Sequence, residues 1–141
     1  MKYVIIGNSA AGIGAVEGIR QIDKSGEIIV ISDEPHHTYS RPLISYLLLG
    51  KVTEETMKYR SDDFYVENHC TLLHGTVTEV KTKTKQVMLA DGSKISFDKL
   101  LVASGSSAFV PPFEGLDTVA NQCTFMCLND ARELDKLLGA V

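Results

Sequence analysis

The six residues Gly7-Asn8-Ser9-Ala10-Ala11-Gly12 carry the clearest chemical signal in the chain. They follow the apolar run Tyr3 to Ile6 and open a segment in which Ile13, Val16, Ile19 and Ile22 recur every third residue. A strand that breaks at glycine and enters a helix through small residues lets the backbone close around a pyrophosphate. In such a turn the first glycine permits the tight bend, and the third lets helix and strand pack closely. The second lets the backbone approach the phosphates. Gly7 and Gly12 hold the first and third places, and Ser9 holds the second with a side chain that hinders approach only slightly. A helix beginning near Ala10 aims unpaired N–H groups and about +0.5 of partial charge at the turn, which is an anion site without lysine or arginine. About twenty residues on, Asp33 and Glu34 stand where a carboxylate can accept both hydroxyls of an adenosine ribose. Taken singly, these residues are also a tight turn and a solvated acidic loop. Loop, helix face and acid agree on a nucleotide site.

Other reactive residue types point to less. Cys70, Cys123 and Cys127 are an odd number without CxxC spacing, and two thiolates four residues apart are half a zinc site. They are expected to be free, mostly buried thiols in a reducing, cytoplasmic protein. His36 and His37 are neighbours whose side chains diverge, so a solvated loop pair is expected and a metal site is not. The run Lys81-Thr82-Lys83-Thr84-Lys85 is a charged hairpin end with no interleaved aromatics, and the net charge of -4 argues against a nucleic-acid partner. Met57, Tyr59, Phe64 and Tyr65 are read as packing residues. Apolar runs such as Ile28 to Ile31 fall far short of the roughly 20 residues a membrane span requires.

The elements that must position the turn can be read in order. With 141 residues, 44% hydrophobic and 23% charged, the chain has the length and apolar content of one globular domain. Residues 2–32 read as strand, glycine turn, helix and strand, with Ser25-Gly26 ending the helix. The unbroken apolar core of the second strand places it in a parallel sheet covered by helices. A short helix is expected from Leu43 to Leu49, and Thr53 and Ser61 are expected to cap two further helical turns. Residues 71–74 read as a third parallel strand closed by Gly75. From 76 to 97 the pattern alternates around Asp91-Gly92, which is the signature of an antiparallel meander. Residues 99–103 return to a buried strand ending at Ser104-Gly105, Pro111-Pro112 breaks the chain, and 129–138 form a helix started by Asn129 or Asp130.

Several of these segments together resemble one family. Val4 to Gly12 is similar to the flavin-binding opening of pyridine-nucleotide-dependent flavoprotein reductases. Ile31-Ser32-Asp33-Glu34-Pro35, followed by Tyr39-Ser40-Arg41-Pro42-Leu43-Ile44-Ser45, resembles the branch of rubredoxin reductases, ferredoxin reductases and nitrite reductase flavin domains. Lys99 to Ser106 is similar to the superfamily's second nucleotide motif, with Ser104 where threonine is usual. The branch often carries a lysine where this chain has Tyr46, and an arginine where Ser107-Ala108 stands. The resemblance implies an α/β, Rossmann-like FAD/NAD(P)-binding fold with an inserted antiparallel meander. In it, Gly7, Ser9, Ala10, Ala11 and Gly12 would hold the FAD pyrophosphate, and Asp33 or Glu34 the ribose. Arg41 would lie along the pyrophosphate or flavin, Val77 would meet adenine through its backbone, and Ala103, Ser104 and Gly105 would flank the cofactor.

The expectation is therefore the FAD-binding portion of an NAD(P)H-dependent oxidoreductase that passes electrons to rubredoxin, ferredoxin or another acceptor. Residues 35–50 hold no cysteine, so no thiol relay is expected beside the flavin. Residues 1–115 would be an incomplete FAD domain, and 116–141 a connection toward an absent NAD(P)H-binding domain. The fragment alone would be inactive and prone to self-association through an uncovered sheet edge. The rival reading is a non-catalytic module that binds an adenine nucleotide, since the chain has one glycine-rich strand-to-helix turn.

Overall fold

The strands with the most continuous apolar sequence pair side by side. The computed structural model describes residues 1–139; Ala140 and Val141, at the end of the expected connecting segment, lie outside the described residues. In chain order the elements are β1 (Lys2–Ile6), α1 (Ala10–Ile22), β2 (Glu27–Ser32), α2 (Ile44–Leu48), α3 (Phe64–Glu67), β3 (Cys70–His74), β4 (Val77–Lys81), β5 (Gln86–Leu89), β6 (Lys94–Ser96), β7 (Lys99–Val102) and α4 (Leu128–Gly139). They fold as two compact units. One comprises Met1–Tyr39 and Tyr59–Gly105, the other Ser40–Lys58 and the residues from Ser106 onward.

The first unit is built on a parallel sheet of order β3-β2-β1-β7. Ile5 lies opposite Val30 on one side and Leu101 on the other. Successive side chains of a strand point to opposite faces. Ile5, Ile28 and Val30 therefore pack with Ile13 and Val16 of α1 and Phe64 of α3. Val4 and Ile31 turn the other way and meet Val87 and Leu89 of β5. Burial on both faces accounts for the continuous apolar run of β2, but only one face carries helices. The antiparallel sheet β4-β5-β6 takes the place of a second helical layer.

Three further expectations need correction. Residues three apart on a helix drift by about 60° per step, because the turn holds about 3.6 residues. By Ile22 the stripe begun at Ile13 has rotated to the outside, and Ile22 is 90% exposed. Arg20, seven residues after Ile13, occupies the inner face at 9% exposure. Its Nε donates to the Asn68 carbonyl at 2.6 Å, Nη1 to that of Asp23 at 3.0 Å and Nη2 to that of His69 at 2.9 Å. The second correction is β7, which pairs only with β1 and forms the sheet edge; Leu101 is 39% and Val102 61% exposed. The third concerns caps. Ser61 contributes its carbonyl to the Phe64 N–H, while Asp63 holds the N-cap of α3.

In the second unit, α2 packs on α4, and Ile44, Met57, Leu128 and Ala131 are buried. Thr53 Oγ1 accepts the Thr56 N–H at 3.3 Å, but the N-cap position of the 3-10 turn Glu55–Met57 belongs to Glu54, one residue after the expected cap. The first helical hydrogen bond of α4 runs from the Ala131 N–H to the Cys127 carbonyl, so Cys127 stands at the start of the helix, two residues before Asn129 and three before Asp130. Asp130 lies inside the first turn and reaches back to the N–H groups of Met126 and Cys127. Burial works to raise its pKa, but donation from those N–H groups, the Cys127 side chain and Thr124 holds the carboxyl below its usual range.

Candidate dinucleotide site

The C-terminal ends of β2, β1 and β7 lie side by side, and the glycine turn leaves from the middle one. The Gly7 N–H donates to the Ile31 carbonyl, and the Ala103 N–H donates to that of Ile6, each at 2.8 Å. A Cβ on Gly7 would stand 2.2 Å from the Ala103 carbonyl oxygen, and the backbone there has φ +116°. Only glycine meets both conditions. A Cβ on Gly12 would stand 2.0 Å from the Gly7 carbonyl oxygen, so the first helical turn rests directly on the glycine bend.

Ser9 is the N-cap of α1, with extended backbone and no capping bond from its hydroxyl. The first bond of the helix runs from the Ile13 N–H to the Ser9 carbonyl at 3.0 Å. The N–H groups of Ala10, Ala11 and Gly12 therefore precede the intrahelical ladder, and the first turn has no acidic residue. Ala10 and Ala11 are exposed. These features suit a pyrophosphate: open donors, the positive end of a thirteen-residue helix, and no competing cap.

The acidic loop follows β2 directly. Asp33 is exposed, and its main-chain carbonyl accepts from His74 Nε2 at 2.9 Å. Glu34 is half-buried, and its Oε2 accepts from the Tyr39 hydroxyl at 2.6 Å. Sequence reasoning missed a polar stitch between this loop and the glycine turn. Asn8 Nδ2 donates to the His36 carbonyl at 3.3 Å, and Asn8 Oδ1 accepts from the Tyr65 hydroxyl at 2.7 Å. Burial pushes the Tyr65 phenol up, so it remains a neutral donor while accepting the Thr38 N–H at 3.3 Å. Asn8 beside a glycine was the one available signal, since its amide can both donate and accept.

The expected solvated pair His36-His37 is not found. Both are half-buried, the His37 ring stands edge-on to Tyr65 at 5.1 Å, and its Nε2 is buried with no hydrogen-bond partner. Phe64 and Met57 are core residues as expected, whereas Tyr65 is part of the stitch. No cluster of metal-binding side chains occurs among the described residues.

Val77 begins β4 opposite Leu89, and its side chain packs against the core of the meander face. Ala103, Ser104 and Gly105 leave β7 beside the glycine turn, with Gly105 at φ +70°. Arg41 belongs to the second unit, at the head of a 3-10 turn, where its Nη1 donates to the Met126 carbonyl at 3.2 Å. The cysteines are more accessible than expected. Cys123 is exposed, and Cys70 and Cys127 are half-buried, all three as free thiols.

Residues 1–139 match the family described as pyridine nucleotide-disulphide oxidoreductase. The chain belongs to that family. Pyridine nucleotide-disulphide oxidoreductases contain FAD and use NAD(P)H, and the resemblance read from the motifs is confirmed. The epsilon subunit of NADH-dependent phenylglyoxylate dehydrogenase from Aromatoleum evansii is 35% identical over 141 residues, covering 99% of this chain and 32% of that protein. The assimilatory nitrate reductase electron transfer subunit of Bacillus subtilis (strain 168) is 35% identical over 118 residues, covering 82% of this chain and 15% of that protein. NADH:rubredoxin oxidoreductase from Clostridium acetobutylicum superposes with a TM-score of 0.88 at 23% identity, over 99% of this chain and 36% of that one. Putidaredoxin reductase, in its covalent complex with putidaredoxin, gives 0.85 at 28% identity, over 97% and 34%. The chain spans about a third or less of the length of these curated relatives. No helix among the described residues is long and apolar enough to cross a membrane.

Proposed function

We propose that this chain is the FAD-holding part of an NAD(P)H-dependent oxidoreductase whose electrons pass from flavin to a ferredoxin, a rubredoxin or a similar acceptor without a cysteine relay. The observation that carries this reading is the open α1 N-terminus, framed by Ala103 and aimed over a bend that only glycine can make. When bound there, FAD supplies the capacity to accept a hydride and release electrons singly. The chain's own residues bind and orient. Ala10, Ala11 and Gly12 offer N–H groups to the pyrophosphate, Asp33 or Glu34 takes the ribose hydroxyls, and the main chain at Val77 meets the adenine. Ser104 and Gly105 line the approach to the cofactor, and Arg41 supplies positive charge to it. Residues 1–115 form the FAD portion, 116–141 lead toward an NAD(P)H-binding domain, and free thiols fit a reducing cytoplasm.

A single glycine-rich strand-to-helix turn occurs among the described residues, and hydride transfer from a nicotinamide needs a second nucleotide site. The 141-residue chain is therefore expected to take up FAD weakly, to oxidise no NADH, and to self-associate through the exposed β7 edge. Flavin absorbance per protein after gel filtration, NADH absorbance and solution size measure all three. A colourless protein that still binds ADP would favour the non-catalytic module; a yellow monomer that oxidises NADH would overturn the division of labour.

Sulfur provides a separate prediction. Burial pushes the thiols of Cys70 and Cys127 up, and Cys123 is exposed. Iodoacetamide is expected to label Cys123 first. Replacing all three cysteines by serine is expected to leave flavin reduction in the intact oxidoreductase unchanged. A large loss of turnover in a correctly folded triple variant would reveal a relay.

A further inference from the structure

The turn Gly7-Asn8-Ser9-Ala10-Ala11-Gly12 carries one side chain longer than a hydroxymethyl group, and both ends of that side chain's amide are bonded. Main-chain bonds hold the turn at its entry, from the Gly7 N–H to the Ile31 carbonyl, and at its exit, from the Ile13 N–H to the Ser9 carbonyl. Between them the Asn8 amide ties it sideways. Oδ1 accepts from the Tyr65 hydroxyl at 2.7 Å, and Nδ2 donates to the His36 carbonyl at 3.3 Å. The Tyr65 hydroxyl in turn accepts the N–H of Thr38, a buried residue, at 3.3 Å. The bonds therefore run in one direction, from Thr38 through Tyr65 and Asn8 to His36, and each polarises the next. Tyr65 is the well-braced member of this chain. Its neighbour Phe64 is in the core with Ile13 and Val16, and the rings of Phe64 and His37 stand edge-on to Tyr65 at 5.4 Å and 5.1 Å.

On the nucleotide-binding reading given above, we propose that Tyr65 is a positioning residue for the pyrophosphate. Its hydroxyl acts through Asn8 to keep the glycine turn in the form in which the N–H groups of Ala10, Ala11 and Gly12 converge. Gly7, with φ +116°, has no side chain to restrict it, so the backbone beside Asn8 has more alternatives than elsewhere. An unbraced turn divides its population among those alternatives, and apparent affinity falls with the fraction competent to bind. Removing the phenol hydroxyl leaves Asn8 Oδ1 and the Thr38 N–H without the partner they share, while the ring keeps its packing. The expected loss of affinity is about fivefold, the scale of one net hydrogen bond.

The test is a double-mutant cycle on the 141-residue chain, with ADP as the probe and NMR titration well below the melting temperature as the measurement. Tyr65→Phe is expected to weaken ADP about fivefold and Asn8→Ala about tenfold. The double variant is expected to match Asn8→Ala, because without Asn8 the hydroxyl has nothing to act through. A loss of about fiftyfold in the double variant, the product of the two single effects, would show that Tyr65 acts by another route and overturn the role. Thermal unfolding of each variant separates binding from stability. A lowered melting temperature with unchanged ADP affinity in Tyr65→Phe would make the hydroxyl merely structural and overturn the role as well. Asn8→Ser replaces alanine in the cycle if the alanine variant does not fold, since serine is too short to reach Tyr65. Failure of the wild type to bind ADP would overturn the nucleotide reading itself, and the positioning role with it.

Discussion

Gly12→Val is expected to abolish flavin retention, while Ser9→Gly preserves or tightens it. The two positions lie three residues apart in one turn, yet the structure gives them opposite tolerance. Even the first carbon of a side chain at Gly12 would stand 2.0 Å from the Gly7 carbonyl oxygen, a backbone atom that cannot swing aside. Valine adds two methyl groups, so α1 must lift from β1 or the bend must open. Either change takes the N–H groups of Ala10 and Ala11 away from one focus. A forced backbone shift of this kind belongs with the severe substitutions, at about 4 kcal/mol or more. The Ser9 hydroxyl makes no capping bond, so removing it costs a few tenths of a kcal/mol at about the level seen for glycine at N-caps. Flavin absorbance per protein after gel filtration, with a thermal melt for each variant, checks the pair. Wild-type flavin retention in Gly12→Val would sink the loop assignment.

Arg20→Met is expected to destabilise the first unit by about 3 kcal/mol and to lower its melting temperature by about 10 °C. Methionine fills much of the arginine's volume but donates nothing. The carbonyls of Asn68, His69 and Asp23 would lose the charged donor that gathers them. His69 has φ +46°, an uncommon conformation for a residue with a side chain, and the bond from Arg20 Nη2 to its carbonyl helps hold it. Ile22→Gln is the matched control, since Ile22 points to solvent and should change stability by less than about 0.5 kcal/mol. Chemical denaturation of both variants decides the matter. A larger loss from Ile22→Gln than from Arg20→Met would restore the three-residue stripe as the buried face.

That contrast shows where the chain was legible. The βαβ start, the third parallel strand and the meander all rest on local pattern: a glycine where the strand ends, a run of Ile and Val, Asp-Gly between alternating segments. Gly7 and Gly12 were readable for the same reason, because a missing Cβ is written in the residue type. What escaped depends on partners far along the chain. Arg20 reads as a surface charge until Asn68 and His69 come to it. Tyr65 reads as core until its hydroxyl finds Asn8, 57 positions away. The exposure of β7 has the same origin, since four apolar residues look buried in any list, and only the sheet order makes Leu101 and Val102 an edge.

The strand order has a consequence in time. β1 is central, with β2 on one side and β7 on the other. During synthesis β2 follows β1 almost at once, but the partner for the other edge begins at Lys99. At about 5 to 20 residues per second, the ribosome makes the intervening stretch in several seconds. Throughout that interval the N–H and carbonyl groups of Tyr3 to Ile6 that will meet β7 have no mate, and the bond from the Ala103 N–H to the Ile6 carbonyl cannot form. The nascent protein thus holds an open, apolar strand edge before it has the means to close it. Its glycine turn reaches final form only when the last strand of the sheet arrives.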